Sequence, residues 1–280
     1  MKWMIRSLLI ITIALCTAEA YGVEGIEIVP DVVYGHKHGM ALTFDVYKPK
    51  QANGTGILFI VSGGWYSRWR PPEQSIDWFR PMLDKGFTVF AVRHGSSPKY
   101  VIPEIIEDVR RSVRFIRLRA NDFGIAPERL GVAGASAGGH LALMLGTASD
   151  KGDPNAKDEV LRVTDRVAAV VAYFPPTDIR AWVNKTPDYP ALNFEEEKAA
   201  DCSPLLHVSE DDPPTLLIHG DNDELVPIDH SEKILAEFEK HKVTSELLVI
   251  KGAGHGFKGE DNKRASEAMV AWFEKHLLEH

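Results

Sequence analysis

Residues 130–146 read LGVAGASAGGHLALMLG, and this stretch decides the fold. Its apolar start, residues 130–133, predicts a buried β-strand. The glycines that follow predict a sharp turn around Ser136, and the leucine-rich end predicts a helix. A strand, a tight turn and a helix in this order place the serine hydroxyl at the carboxyl edge of a sheet, beside the positive amino end of a helix. The stretch is therefore typical of a nucleophilic serine on an α/β fold.

Seven other apolar or alternating runs predict further strands, at residues 26–29, 42–47, 57–61, 88–92, 168–173, 216–219 and 247–250. Several of these runs lack polar alternation, which is typical of strands buried on both faces of a parallel sheet. Helical patterns lie between or after the strands, most clearly at residues 102–116 and about 265–278. Repeated strand-then-helix order predicts a mostly parallel central sheet with helices on both faces.

Residues 177–214 interrupt this rhythm. They are rich in Pro, Asp and Glu and carry only weak helical patterning. We interpret them as a small insertion above the carboxyl edge of the sheet. No other stretch suggests a second domain, so residues 21–280 are predicted to form one α/β domain that carries this insertion.

Composition excludes several classes of protein. The 280 residues are 44% hydrophobic, which is enough for one large core and too apolar for a disordered chain. Lys and Arg number 32 against 40 Asp and Glu, a net charge of −8, so no cationic surplus exists to bind nucleic acid or an anionic membrane surface. His36 and His38 lack further ligands nearby, and we expect neither a metal ion nor a cofactor.

The first twenty residues predict a secretory signal peptide. Lys2 and Arg6 precede a ten-residue apolar run, and the sequence Ala18-Glu19-Ala20 supplies two small alanines before a cleavage site. This run is too short to span a bilayer permanently, so we expect a secreted or periplasmic protein without stable membrane insertion.

Two alternatives to cleavage after Ala20 stay open. A lipoprotein centred on Cys16 is disfavoured, because the bulky Leu15 precedes the cysteine where a small residue is usual. An uncleaved anchor is the other alternative. Cleavage after Ala20 leaves Cys202 as a single thiol, which excludes an intramolecular disulfide.

Two later loops supply the partners that a serine nucleophile requires. A serine hydroxyl needs a base within hydrogen-bond reach and a carboxylate that orients the base. Residues 219–227, HGDNDELVP, follow one predicted strand, and residues 252–257, GAGHGF, follow the next. Both loops leave the carboxyl ends of parallel strands, where open α/β sheets place their sites. The chain order of serine, acid and histidine is that of an α/β-hydrolase triad.

At this point the chain resembles the esterase/lipase branch of the α/β-hydrolase superfamily, close to the hormone-sensitive-lipase-like and acetyl-esterase group. That group typically continues its serine turn as Ser-Ala-Gly-Gly-His-Leu-Ala, which is the sequence of residues 136–142. The resemblance covers about residues 35–278. It implies Ser136 as nucleophile, Asp223 as acid, within an Asp-x-x-Val-Pro pattern, and His255 as base. Asp221 is the alternative acid, and its other reading is a turn-forming carboxylate.

The same group carries a His-Gly-Gly-Gly-Trp loop whose backbone N–H groups stabilise a tetrahedral oxyanion. Residues 61–65 read VSGGW, so Val and Ser replace the family's His and first Gly. We expect backbone donors from Gly63 and Gly64, together with Ala137, to form the oxyanion hole. Which two of the three point at the substrate stays open.

Aromatic residues cluster beside this loop. Residues 65–70 read WYSRWR, and Trp78 follows. We expect Trp65, Tyr66 and Trp69 to bind substrate, because flat rings pack against sugar faces or aromatic acyl groups. The alternative is that Trp69 and Trp78 only cover the first helix.

The sequence also suggests roles for three further polar residues. We expect His140, just after the serine turn, to make a structural hydrogen bond rather than to act as a second base. His94 is expected either at the pocket rim or in a loop. Asp108 is expected to cap a loop or to pair with an arginine.

These features favour a serine ester hydrolase that works through an acyl-enzyme. Export, the lack of a long hydrophobic lid and the aromatic cluster favour small-molecule or polysaccharide esters, such as acetylated or feruloylated plant polysaccharide, over triglycerides. Two alternatives remain, a serine peptidase resembling the catalytic domain of prolyl oligopeptidases and a non-catalytic hydrolase-fold binding module.

The predicted leader gives the first test. We predict that exported protein begins at Tyr21, because the small residues before this position suit a signal peptidase. Intact-mass spectrometry of exported protein measures the new terminus. Exported material that retains Met1 would contradict the prediction.

Overall fold

The computed structural model describes residues 20–279, so the leader expected at residues 1–20 lies outside the described residues except for Ala20. Within the described range the strands are β1 (Tyr21–Val23), β2 (Ile26–Lys37), β3 (Met40–Pro49), β4 (Gly56–Ile60), β5 (Thr88–Val92), β6 (Leu130–Ala135), β7 (Ala169–Tyr173), β8 (Thr215–Gly220) and β9 (Ser245–Ile250). The α-helices are α1 (Ile76–Leu83), α2 (Ile102–Leu118), α3 (Ala120–Phe123), α4 (Ala137–Thr147), α5 (Asp229–Lys240) and α6 (Gly259–Leu277).

The strands form one sheet in the order β1-β2-β3-β5-β4-β6-β7-β8-β9. The pairs among β1, β2 and β3, and the pair of β3 with β5, are antiparallel. All other pairs are parallel, from β5 beside β4 to β8 beside β9. The predicted mostly parallel sheet is confirmed, and its parallel part brings the carboxyl ends of β4, β6, β7, β8 and β9 to one edge.

Apolar side chains cover both faces of the sheet. On one face Val132 of β6 belongs to a buried cluster with Leu141 of α4 and with residues of α2 and α5. On the other face Val171 of β7 belongs to a second cluster with Phe79 of α1 and Phe273 of α6. Helices on both faces explain why the central strands lack polar alternation.

Two boundaries differ from the sequence prediction by about six residues or more. Strand β2 runs eight residues past the predicted end at residue 29, and its register with β3 shifts between Val29 and Val32 and again before Gly35. These irregularities break the alternation that a sequence pattern needs. Helix α6 begins at Gly259 rather than near residue 265, because its first turn is polar and exposed and offers no apolar period.

The turn between β6 and α4 brings the backbones of strand and helix unusually close together. Ser136 has φ 53° and ψ −119°, a conformation that side-chain-bearing residues rarely adopt. Its N–H donates to the carbonyl of Tyr173 at 2.9 Å. A Cβ on Gly134 would lie 2.3 Å from the Gly138 carbonyl oxygen, and a Cβ on Gly138 would lie 2.7 Å from that of Ile60. Both glycines are therefore required by the close approach of strand and helix.

The segment 177–214 contains short 3₁₀ turns and no α-helix or strand among its residues. Polar contacts fix this segment to two helices of the sheet domain. The Thr177 hydroxyl donates to the carbonyl of His230 in α5 at 2.8 Å. The His140 ring in α4 makes a 2.8 Å hydrogen bond to the Cys202 carbonyl.

No helix within residues 20–279 combines the length and apolar character that crossing a bilayer requires.

The glycine contact at the turn gives a stability prediction. Gly134→Ala is expected to lower the free energy of unfolding by about 3 kcal/mol or more, because the added methyl overlaps backbone that has no room to retreat. Urea unfolding followed by circular dichroism measures the change. Gly22→Ala in β1 is the matched control, since a Cβ there meets only the Ile26 carbonyl oxygen at 3.9 Å. Equal stability of the two variants would contradict the packing account.

Candidate active site

Three side chains form a hydrogen-bonded relay above the carboxyl edge of the sheet. The Oγ of Ser136 lies 2.9 Å from Nε2 of His255. Nδ1 of the same ring lies 2.8 Å from Oδ2 of Asp223. The carboxylate is buried, and its Oδ1 accepts the backbone N–H groups of Leu225 and Val226, both at 3.0 Å. The structure thus brings together the serine, histidine and first-choice aspartate that the sequence selected.

Backbone contacts between two loops set the distance from Asp223 to His255. The N–H of Asn222 donates to the carbonyl of Ala253 at 3.0 Å. The N–H of Gly252 donates to Oδ1 of Asp221. The side chain of Asp221 therefore binds the backbone of the neighbouring loop. Asp223, by contrast, forms the hydrogen bond to the histidine ring. The geometry favours Asp223 as the acid and gives Asp221 the turn-forming role.

A second histidine lies behind the acid. His219 is fully buried, and its Nε2 lies 2.8 Å from the Val226 carbonyl and 3.4 Å from Oδ2 of Asp223. Its Nδ1 lies 2.8 Å from Oγ of Ser231. Burial lowers the pKa of His219 and favours the neutral ring. A neutral ring with its proton on Nε2 satisfies both contacts and points a donor toward the carboxylate.

Phe174 is a site residue that the sequence reasoning missed. It follows β7 directly, has φ 35°, and packs its ring 4.6 Å from the ring of His255. This ring contact restrains the imidazole in addition to its two hydrogen bonds. Its position one residue after a predicted buried strand was the available signal, because strand ends supply the sites of α/β sheets.

A cavity of about 670 Å³ opens in front of Ser136. Its apolar wall comes from Phe174, from the insertion and from the loop after β8, and includes Trp182, Tyr189, Leu225, Val226 and Pro227. Sequence reasoning placed the insertion above this edge but did not select its aromatic residues. A pocket of this size and mainly apolar lining suits a small organic group.

Two of the three backbone N–H groups expected to bind the oxyanion are free to do so. Gly63 is not available, because its N–H donates to the Tyr66 carbonyl at 3.0 Å. The N–H of Gly64 has no acceptor among residues 20–279, and Gly64 lines the cavity in the left-handed region at φ 56°. Ala137 is the first residue of α4, where an N–H has no intrahelical acceptor. The geometry therefore leaves Gly64 and Ala137 as the donor pair.

Side chains from the segment after β5 hold this loop in place. Nε2 of His94 lies 2.9 Å from Oγ of Ser62, and Nδ1 lies 2.9 Å from the Gly95 carbonyl. His94 is buried and lies behind the loop, not at the pocket rim. The carboxylate of Asp108 in turn accepts the Gly95 N–H at 2.8 Å and pairs with Lys37 at 3.0 Å, so it caps this segment and pairs with a lysine rather than an arginine.

His140 connects the loop to the insertion. The indole N–H of Trp65 donates to its Nδ1 at 3.3 Å, and its Nε2 donates to the Cys202 carbonyl at 2.8 Å. The structural role expected for His140 is confirmed by these two bonds. Trp65 is buried at the cavity wall, with its ring edge-on to Tyr189.

The other two predicted substrate residues lie elsewhere. Tyr66 lines a second cavity of about 650 Å³ on the far side of the loop, together with Trp78. Trp69 is 57% exposed and lines neither cavity. The structure therefore separates Trp65, beside Ser136, from Tyr66 and Trp69. Sequence adjacency alone does not decide this, because alternate residues of a loop face different ways.

Comparison with known proteins adds three findings. The BD-FAE family model matches residues 44–238, which is more than half of the chain. The probable carboxylic ester hydrolase LipM of Mycobacterium tuberculosis is 26% identical over 258 residues, which cover 86% of this chain. The same alignment covers 59% of LipM, so the chain spans about three fifths of the length of that curated relative.

Two solved structures share the fold. A truncated carbohydrate esterase from gut microbiota superposes with a TM-score of 0.77 and 25% identity, covering 93% of this chain and all of that one. An acetyl ester-xyloside bifunctional hydrolase from Caldicellulosiruptor lactoaceticus gives a TM-score of 0.76 and 24% identity, covering 88% and 95% of the two chains. The predicted α/β-hydrolase fold is confirmed.

The buried histidines behind the site give a pH prediction. Burial lowers the pKa of His94 and of His140 from 6.5 to about 4. The unfolded chain therefore binds more protons than the folded chain between these pH values, and stability falls as the pH is lowered through this window. Each histidine is expected to contribute a loss of about 3 kcal/mol at most by pH 4.

Urea unfolding at pH 7 and at pH 4.5 measures this loss. His94→Gln and His140→Gln each remove one titrating group, so each variant is expected to lose less stability on acidification than the unmodified protein. His36→Gln, at an exposed position, is the control for the substitution itself. An equal acid loss in all proteins would show that these rings do not carry the effect.

Proposed function

Because the chain belongs to the BD-FAE family of α/β-hydrolases, we propose that it is a serine carboxylic ester hydrolase. One observation carries the proposal, the relay in which Ser136 Oγ lies 2.9 Å from His255 Nε2 and His255 Nδ1 lies 2.8 Å from Asp223. The strained turn exposes the serine to a cavity with two backbone donors beside it. A purely structural serine needs none of these features.

The reaction follows from this geometry in two halves. In the first, Ser136 Oγ attacks the ester carbonyl carbon while His255 Nε2 accepts the hydroxyl proton, and Asp223 stabilises the resulting imidazolium. The carbonyl oxygen becomes an oxyanion that accepts the N–H groups of Gly64 and Ala137. Collapse breaks the bond to the alcohol, which takes the proton from His255 and leaves an acyl-enzyme.

The second half repeats these roles with water. His255 accepts a proton from water, and the resulting nucleophile attacks the acyl carbonyl. A second oxyanion forms against the same two donors. Its collapse returns the proton to Ser136 Oγ and releases the carboxylic acid.

The shape of the cavity supports a proposal for the substrate class. A mainly apolar space of about 670 Å³, lined in part by Trp65 and Tyr189, accommodates a short acyl chain or one aromatic ring. We propose acetyl or feruloyl esters of plant polysaccharide as substrates. The similarity to a carbohydrate esterase and to an acetyl ester-xyloside hydrolase supports this class. The leader expected at residues 1–20 adds export to the proposal, since such polymers lie outside the cell.

The nucleophile gives the direct test. Ser136→Ala is expected to lower kcat at least about 10⁴-fold on p-nitrophenyl acetate, acetylated xylan or methyl ferulate, and to abolish labelling by a fluorophosphonate probe. Initial rates and the mass of the labelled peptide measure both effects. Full hydrolysis by this variant would overturn the mechanism. Activity of the unmodified protein confined to long-chain lipids or peptide amides would overturn the substrate class.

The role of Asp223 in the Ser136–His255–Asp223 triad can be tested with Asp221 as the matched control. Asp223→Asn is expected to lower kcat at least about 1000-fold, because the amide no longer stabilises the imidazolium. Asp221→Asn keeps an oxygen that accepts the Gly252 N–H, so its kcat is expected to change only a few-fold. The opposite ranking would make Asp221 the acid.

A further inference from the structure

The second cavity has no role in the proposed chemistry. It measures about 650 Å³ and lies between the loop after β4 and the start of α1. Its polar lining includes Arg68, Arg70 and Gln74, and its aromatic lining includes Tyr66 and Trp78. Its composition therefore differs from the mainly apolar cavity in front of Ser136.

The two cavities meet at residues 61–65, which we call the oxyanion loop. Ser62 and Gly63 line both of them, while Gly64 lines only the cavity in front of Ser136. An ester whose carbonyl oxygen lies at Gly64 can therefore extend in two directions from its reacting carbon. The apolar cavity suits the acyl group, and the polar cavity suits a polyhydroxylated alcohol portion.

The arginines of the second cavity lack acid partners. Within residues 20–279 neither Arg68 nor Arg70 forms a salt bridge, whereas Arg93, Arg111 and Arg114 each pair with an aspartate. A guanidinium binds a carboxylate through two parallel hydrogen bonds, so two unpaired arginines in one cavity favour a carboxylate ligand.

The aromatic residues of the second cavity favour a ring beside that carboxylate. Trp78 is 45% exposed and rests edge-on against Phe59, so one part of its indole stays open to a ligand. The guanidinium of Arg68 lies 5.7 Å from the centre of the Tyr66 ring, a contact that limits its rotamers. An open aromatic surface next to the guanidinium groups of Arg68 and Arg70 fits a pyranose ring that carries an acid group.

We propose that the second cavity binds the alcohol portion of the ester and that this portion is a saccharide bearing a uronate carboxylate. Arg68 and Arg70 bind the carboxylate, and Trp78 packs against a sugar ring. The catalytic use of this cavity rests on the proposed ester hydrolase function. Binding of the saccharide itself does not depend on turnover.

Calorimetric binding to the full chain carrying Ser136→Ala tests the proposal. The probes are xylotriose that carries a glucuronate branch and unbranched xylotriose, neither of them esterified. We expect the acidic probe to bind at least about 10-fold more tightly at low ionic strength, because charge-assisted hydrogen bonds are added. This preference is expected to shrink at 0.5 M NaCl, since salt screens partly exposed charges. Equal affinity for both probes would overturn the proposal.

Substitutions assign the preference to the two arginines. Arg68→Gln and Arg70→Gln, each added to the Ser136→Ala chain, are expected to lower the ratio of acidic to neutral affinity, and the combined variant is expected to bring it near one. Arg264→Gln, at an exposed position of α6 outside both cavities, is the matched control and is expected to keep the full ratio. An unchanged ratio in the combined variant would also overturn the proposal.

This design separates the two proposals. If the acidic probe binds with the expected preference while the unmodified protein hydrolyses no ester, the ester hydrolase function fails and the binding site stands. If the unmodified protein hydrolyses p-nitrophenyl acetate while both probes bind equally, the function stands and the uronate site fails.

Discussion

The contact on which this site depends is the close approach of β6 and α4 at Gly134 and Gly138. Side chains at these glycines would meet backbone atoms at 2.3 and 2.7 Å. Because these glycines have no side chains, the chain can reverse direction at Ser136. The hydrogen bond from Ser136 N–H to the Tyr173 carbonyl holds this turn against the neighbouring strand β7. A residue held at positive φ costs about 1–3 kcal/mol, which the surrounding sheet must offset. In return the hydroxyl faces His255 and the amino end of α4.

Two buried, neutral histidines hold the oxyanion loop in place through hydrogen bonds. His94 and His140 lie behind this loop, and burial lowers the pKa of each to about 4. Near neutral pH both rings are therefore uncharged and offer one donor and one acceptor. His94 uses them for Gly95 and Ser62, and His140 uses them for Cys202 and Trp65. These bonds position the backbone of Gly64 through its neighbours.

Much of this architecture could be predicted from the sequence because it has a strong local signature. Buried strands appear as apolar runs, and the serine turn appears as glycines on both sides of Ser136. Other parts depend on contacts that no local pattern encodes. The loss of Gly63 as an oxyanion donor follows from its bond to Tyr66, three residues away in a loop of irregular shape. Phe174, Trp182 and Tyr189 join the site only because strand ends and an insertion converge there.

A crystal structure of the protein after reaction with a fluorophosphonate tests the roles of Ser136, Gly64 and Ala137 together. We predict phosphorus bonded to Ser136 Oγ, with its phosphoryl oxygen about 3 Å from the backbone nitrogens of Gly64 and Ala137. The Gly63 N–H would keep its bond to the Tyr66 carbonyl. A label on another residue would rule out Ser136 as the nucleophile, and a phosphoryl oxygen held by Gly63 in place of Gly64 would rule out the assigned donor pair.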